Sequence, residues 1–333
     1  MQRLLICGTN WLGDSIMSMP ALQALKRVAP ATHLTLLVKP AMLPLWEMHA
    51  AVDAAVPIYR GRDGTRLTVA ALRRQGYDRA VIFPNSLRSA LLPFLVRIPQ
   101  RIGVPGHWRR LLLTDGVAPR PAGDRSHQAG EYFALLGLEV PPTFAPPALT
   151  PSDTAQADAA HALGDAAGRP LLGILPGAAR GGSKRWPPEH FASVARALVA
   201  SHGVRPVVFG TESERAACDA VAAAVGGEVR NLAGQTSLVV LAAALARCRL
   251  ALTNDSGGMH LASAVGTPVV AVFGLTDPEL TGPLGAHDRI LCGAEAEARS
   301  RDIPRESPAA EAALRRVTPQ QVQAAAEAIL DAS

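Results

Sequence analysis

Short apolar runs alternate with helical stretches along this chain, and the series starts twice. In the first half the apolar runs are Leu4–Cys7, Leu34–Val38, Ala80–Phe83 and Gln100–Val104. In the second half they are Leu171–Leu175, Pro206–Phe209, Arg249–Thr253, Val269–Phe273 and Arg289–Cys292. Helical stretches fall between them, at 21–29, 69–75, 126–136, 189–201, 212–225, 238–247, 259–265 and 319–332. Strands that alternate with helices predict parallel sheets, because a parallel pair needs a crossover connection. The series is broken by Val140-Pro141-Pro142-Thr143-Phe144-Ala145-Pro146-Pro147, an extended segment suited to a linker. The expected fold is therefore α/β, with two Rossmann-like doubly wound domains and an active-site cleft between them. The first domain is expected over 1–150 and the second over 151–318, with a helix over 319–333 that could pack back on the first. Residues 293–318 read as polar and irregular.

A length of 333 residues and a hydrophobic content of 48% fit two sizeable cores. The net charge of +5 is concentrated. Residues 60–125 hold thirteen arginines against four aspartates, an excess larger than that of the whole chain. An anionic partner for that region is the expectation. Nucleic acid is disfavoured, since no RNA-binding motif appears and aromatics, at 4%, are too few for a stacking platform. Cys7, Cys218, Cys248 and Cys292 lie far apart with no CxxC spacing, so buried free thiols are expected and no metal site. Residues 1–30 lack a basic leader and carry Asp14 within an apolar stretch, which does not read as a signal peptide. No apolar run approaches the ~18 residues of a membrane span. A soluble cytoplasmic protein is expected.

Four segments carry candidate chemistry. Asn254-Asp255-Ser256-Gly257-Gly258-Met259-His260 joins a strand to a helix, and free N–H groups at a helix start favour anions. Ser256 is a suitable cap, and Gly257 and Gly258 allow close backbone approach. The segment reads as a phosphate cradle or as an ordinary βα turn. Asp14, after Gly13, closes the first βα loop and can be a general base or a helix cap. Gly173–Pro187 runs from a strand through a Gly-rich loop to Lys184 and Arg185, which could meet a diphosphate or lie in solvent. Glu212 and Glu214, after Gly210, could bind ribose hydroxyls or favour a helix start. Neither half has G-x-G-x-x-G after its first strand, and Lys39-Pro40 stands where an acidic ribose ligand would end the second. A dinucleotide-dependent dehydrogenase is disfavoured, and no Walker A sequence is present.

Taken together, Asn10-Trp11-Leu12-Gly13-Asp14 through Pro20, Pro84-Asn85-Ser86-Leu87-Arg88-Ser89-Ala90, Lys184-Arg185-Trp186-Pro187 and Asn254–His260 resemble the ADP-heptose:lipopolysaccharide heptosyltransferases of glycosyltransferase family 9. The type II enzymes are matched best. The last segment is similar to the family's D-[ST]-G-x-x-H turn, and the resemblance runs from Leu4 to about Gly285. It implies a GT-B fold and an inverting, metal-independent transfer without a cofactor, from ADP-heptose to a phosphorylated lipid A–Kdo–heptose acceptor. Carried over by position, Asp14 matches the catalytic base, Lys184 the diphosphate contact and Glu214 the ribose ligand. Asp255, Ser256, Gly257, Gly258 and His260 match the donor turn. Arg180 stands where type I relatives carry the second hydroxyl of a Thr-Thr pair, and could substitute charge for it. Asn10 is expected on the acceptor side. Arg97, Arg101, Arg109 and Arg110, which flank the Gln100–Val104 strand, are expected to bind acceptor phosphates. The implied place of work is the cytoplasm, peripheral at the inner face of the inner membrane. A type I or later heptosyltransferase and a non-enzymatic nucleotide-sugar-binding module remain as alternatives. A sugar-nucleotide epimerase lacks its G-x-x-G-x-x-G and Y-x-x-x-K signatures here.

Overall fold

The structure, a computed structural model, describes residues 2–332 except residues 122 and 167 and the side chain of residue 107. It divides into two compact units, 1–145 and 146–333, and the divide falls inside the proline-rich segment. Among the described residues each unit is built on one parallel sheet of six strands.

In the first unit the strands are β1 (Arg3–Cys7), β2 (His33–Val38), β3 (Ala54–Pro57), β4 (Arg79–Ile82), β5 (Gln100–Gly103) and β6 (Asp115–Gly116). Their spatial order is β3-β2-β1-β4-β5-β6. In the second they are β7 (Leu171–Leu175), β8 (Arg205–Val208), β9 (Arg230–Asn231), β10 (Cys248–Asn254), β11 (Val269–Phe273) and β12 (Arg289–Cys292). Their order, β12-β11-β10-β7-β8-β9, is the same topology traced from the other side. Each unit is thus a doubly wound sheet whose direction of travel reverses between its first and fourth strands. That switch point opens a crevice at the strand carboxyl ends, where ligands bind in such sheets. In the first unit it lies beyond β1 and β4, and in the second beyond β7 and β10.

The central strands are apolar because helices cover both of their faces. Leu5, Ile6, Leu36, Leu37, Val81 and Ile82 are buried in the first unit, as are Leu172, Ile174, Leu250, Leu252, Val270 and Val272 in the second. The strands missing from the sequence reading are β3, β6 and β9, all toward sheet edges. Two of them span only two residues and leave no periodic signal. The helix Leu87–Val96 was also not expected, because Pro93 sits inside it and reads as a breaker. Its start is set by Ser86, whose side chain accepts from the Ser89 amide.

One expectation for the C-terminal part is corrected. Residues 293–318 are not wholly irregular: Pro308–Arg316 is a helix capped by Ser307 and buries Ala310, Ala313 and Leu314. The final helix, Pro319–Asp331, packs on the core of the second unit. Val322, Ala326 and Ile329 recur at helical spacing and join the cluster containing Phe191, Val194 and Leu198. Cys7, Cys218 and Cys248 are buried, while Cys292 is partly exposed. Burial pushes the Cys7 thiol up to about 12, which leaves it protonated and unreactive.

His49 gives the first unit a sensitivity to acid. It is buried edge-on against Trp46, and burial pushes its pKa down to about 4. Unfolded, the imidazole takes up a proton near its ordinary value of 6.5. The stability tied to the neutral ring is therefore complete above that value and falls away between it and about 4. Urea titration at neutral pH and at pH ~5 should show a loss of about 2 kcal/mol from this group alone. His49→Gln should flatten that part of the profile, and an unchanged profile would place the sensitivity elsewhere.

Candidate active site

At the switch point of the first unit, β1 ends at Cys7 and the helix Leu12–Met17 follows within five residues. Asp14 lies inside this helix, as its third residue, and not at the end of a loop. Trp11 holds the capping position, with its indole more than half exposed, so Asp14 is not the cap that its residue type suggested. Its carboxylate lies in the first turn, where the helix field favours negative charge. Gln128, buried just ahead of the helix Ala129–Leu136, donates Nε2 to Asp14 Oδ1 at 3.3 Å and to the Tyr132 hydroxyl at 3.0 Å. Tyr132 packs on Phe83 with ring centroids 4.8 Å apart. The Thr9 and Ser15 hydroxyls pair at 2.8 Å beneath the turn, and Asn10 is exposed beside it. Gln128 is not among the candidates named from the sequence. Its signal was the Gln128–Tyr132 spacing, two polar groups on one face at a helix start.

The four arginines expected to act together are separated. Arg97 ends the helix Leu87–Val96 in a left-handed conformation, φ 66°, and Arg101 is the second residue of β5. Both lie at the amino edge of the sheet, opposite Asp14, and line a pocket of about 430 Å³ with Arg73, Phe94 and Pro99. Arg101 is further engaged by the carbonyls of Ile98 and Leu112 and by the Phe94 ring. Arg109 is on the Asp14 edge but is 3% exposed. It donates to Val104 O at 2.8 Å, Asn85 Oδ1 at 3.1 Å and Ile82 O at 3.4 Å. Gly103 makes room for it, since a Cβ there would lie 2.8 Å from Nη2. Burial lowers the Arg109 pKa, yet it pairs with no carboxylate among the described residues. It ties the ends of β4 and β5 together. Of the four, Arg110 alone is an exposed cation on the Asp14 edge.

At the second switch point, β7 runs into the loop 176–187 and β10 into the turn before the helix Gly257–Ala264. Lys184 Nζ forms an ion pair with Asp255, and both side chains are largely buried. Asn254, fully buried, holds the two segments together: Oδ1 accepts from the Trp186 amide at 2.9 Å, and Nδ2 donates to Pro176 O at 2.7 Å. Trp186 anchors the loop from beneath, donating Nε1 to Val317 O at 3.0 Å. Ser256 occupies the capping position but makes no side-chain capping bond, contrary to its expected role. The first amides of the helix are thus uncapped by side chains, which suits an anion. Gly258 approaches Leu175 so closely that a Cβ would lie 2.5 Å from Cδ2. His260 is buried within the helix, one turn in.

Glu214 serves its own helix and also reaches the loop after β7. Oε2 accepts from Thr211 N at 2.9 Å and Oγ1 at 2.8 Å, closing a capping box. The carboxylate rests on Gly177, where a Cβ would lie 2.3 Å from Oε1. Glu212 pairs with Arg215. Arg180 is about half exposed, 3.8 Å from Asp302. Residues 305 and 306 brace the same loop: Ser183 N donates to Arg305 O, Gly182 N to Glu306 Oε1, and Arg305 Nη2 to Ala179 O. Gly181, at φ 93°, is obligatory there, because a Cβ would lie 2.6 Å from Arg305 O.

Two Rossmann-like units, with a carboxylate at one switch point and a lysine at an uncapped helix start at the other, describe a glycosyltransferase of the GT-B class. A model of glycosyltransferase family 9 (heptosyltransferase) matches residues 66–310. The lipopolysaccharide heptosyltransferase 2 of Salmonella typhimurium is 33% identical over 307 residues, 87% of each chain. The lipopolysaccharide heptosyltransferase 1 of Pseudomonas aeruginosa is 27% identical over 302 residues, covering 85% of this chain and 81% of that one. The structure of Escherichia coli ADP-heptose lps heptosyltransferase II matches with a TM-score of 0.85 at 30% identity, covering 100% of this chain and 99% of that one. The chain belongs to glycosyltransferase family 9, the heptosyltransferases.

The hold of Asn254 on the loop can be measured directly. Asn254→Ala leaves the Trp186 amide and the Pro176 carbonyl unpaired, at about 1–3 kcal/mol for each buried group. Thermal unfolding should fall accordingly, and amide exchange should rise through residues 177–187. Unchanged exchange in that loop would show that Asn254 does not position Lys184.

Proposed function

We propose that the protein is an inverting heptosyltransferase of type II, moving heptose from ADP-heptose to the heptose of a lipopolysaccharide inner core. The observation that carries this reading is Lys184 held by Asp255 at the uncapped start of the helix Gly257–Ala264. That arrangement suits a diphosphate leaving group. The ion pair alone is neutral, so the helix amides supply the remaining attraction for the anion. The identity to a heptosyltransferase 2, higher than to a heptosyltransferase 1, favours type II.

The reaction is a single displacement. Asp14 takes the proton from an acceptor hydroxyl as its oxygen attacks the anomeric carbon. The bond from that carbon to the ADP oxygen breaks, and ADP leaves with the electron pair. Lys184 and the amides at Gly257 and Gly258 meet the growing charge on the diphosphate. Gln128 fixes the carboxylate that takes the proton, so it acts as a positioning residue. Glu214 and the donor turn, including His260, belong to ADP-heptose binding; Asn10 and Arg110 belong to the acceptor side. No metal ion and no cofactor has a part. The acceptor is a phosphorylated lipid A–Kdo–heptose, and the enzyme works in the cytoplasm, peripheral at the inner membrane. Among the described residues no helix is long and apolar enough to cross a membrane.

Mass spectrometry of products from ADP-heptose with mono-heptosylated and heptose-free acceptors tests the assignment. Addition to the heptose-free acceptor alone would make the enzyme type I, and donor binding without transfer to either would leave a binding module.

Asp14→Asn should lower turnover about 10²- to 10⁴-fold, the span of general-base catalysis, while ADP-heptose affinity holds. Near-normal turnover in the folded variant would remove Asp14 from the mechanism. Lys184→Ala should weaken ADP roughly ten- to hundredfold, the worth of one charge-assisted contact, and barely touch adenosine. Calorimetric titration with both ligands distinguishes this from a collapsed loop, which would weaken both equally.

A further inference from the structure

The first unit exposes a patch of apolar and basic side chains of which the proposed reaction uses only Arg110. After β5 the chain makes a 3₁₀ turn, His107–Leu112. In such a turn residues three apart lie one above the other. Trp108 and Leu111 therefore share a face, and they are 76% and 73% exposed. Arg109 and Leu112 share another, which faces inward: Arg109 is buried and Leu112 packs on the core. Arg110 is exposed beside the apolar pair. The start of the helix Leu87–Val96, which follows β4, adds Leu87, 52% exposed, and the exposed Arg88. Arg109 connects the two loops through Asn85, which gives its costly burial a purpose. No Asp or Glu occurs between Asp78 and Asp115.

We propose that Leu87, Arg88, Trp108, Arg110 and Leu111 form a docking surface for an anionic lipid bilayer. This deepens the proposed function and rests on it only in that the acceptor is a lipid. An exposed tryptophan and leucine on one face suit the interface between headgroups and acyl chains, where tryptophan is favoured. The flanking arginines, with no carboxylate in the segment to repel the surface, suit anionic headgroups. The patch follows the carboxyl ends of β4 and β5, on the same edge of the sheet as Asp14. Docking there would bring the base to the plane in which a lipid-anchored hydroxyl is presented. The basic pocket of Arg73, Arg97 and Arg101 lies at the opposite edge and takes no part.

The test is co-sedimentation of the full chain with vesicles of phosphatidylcholine, alone and mixed with phosphatidylglycerol. The wild type should bind the mixed vesicles, release with salt, and shift its tryptophan emission to the blue. Trp108→Ala with Leu111→Ala should weaken binding about tenfold or more and remove most of the shift. Arg88→Gln with Arg110→Gln should weaken it roughly thirtyfold and abolish the salt dependence. Arg73→Gln with Arg97→Gln, at the far edge, should bind as wild type does. Equal binding to phosphatidylcholine alone, equal losses in the far-edge variant, or no binding at all would overturn the proposal. So would a dimer in solution that the Trp108/Leu111 variant dissociates while vesicle binding stays intact. Transfer to a deacylated, water-soluble acceptor separates this from the proposed function. Transfer by a wild type that binds no vesicles sinks the docking surface alone; vesicle binding without transfer sinks the enzymatic reading alone.

Discussion

Burying an ammonium beside a carboxylate strips both of water, and the contact between them compensates only where the geometry is held firmly. Lys184 and Asp255 meet that condition because three different parts of the second unit converge on them. Asn254 joins the end of β10 to the β7 loop through two buried hydrogen bonds. Trp186 roots the loop in the core. Gly182, Ser183 and Ala179 are tied to residues 305 and 306, more than a hundred positions along the chain. The lysine is therefore held in place by the unit itself, and under the proposed function a diphosphate would meet fixed charges and fixed amides. Preorganisation of this kind is what lets electrostatics act on a leaving group without reorganising at the moment of reaction.

The same economy of layout appears in the first unit with different side chains. There the switch point holds Asp14, steadied by a buried glutamine amide that also contacts a tyrosine hydroxyl. A buried guanidinium, not an ion pair, secures the neighbouring loops. One topology thus carries a carboxylate at the switch point of one unit and a lysine beside an uncapped helix start in the other. The fold supplies the place, the carboxyl ends flanking the switch point, and the local residues supply the chemistry.

Much of this was legible in the residues because it rests on local signals. Apolar runs mark the central strands, since a strand covered on both faces must be apolar throughout. Asp14, Lys184 and the Asn254–His260 turn stood out because each follows such a run, where a parallel sheet presents its loops. Edge strands of two residues and a helix containing Pro93 carry no such signal and went unseen. The bracing of the Lys184 loop by Arg305 and Glu306 was invisible for a different reason: nothing in a polar, proline-containing stretch tells which distant backbone it will meet.

The arginines mark the boundary most clearly. Composition determined that residues 60–125 are strongly basic, and that an anion is the natural partner of such a region. It could not say which cations face a ligand. Arg97, Arg101, Arg109 and Arg110 are close in sequence, but the first pair lies where the chain enters β5, at the far edge of the sheet, and a 3₁₀ turn rotates Arg109 into the interior. Likewise, Ser256 has the residue type and position of a cap, yet its hydroxyl does not make the bond. What the sequence by itself determined was the repeated α/β pattern, the family and the residue types at the two switch points. Only the tertiary structure decided which side chains are buried, paired or presented, because those outcomes depend on contacts between segments far apart along the chain.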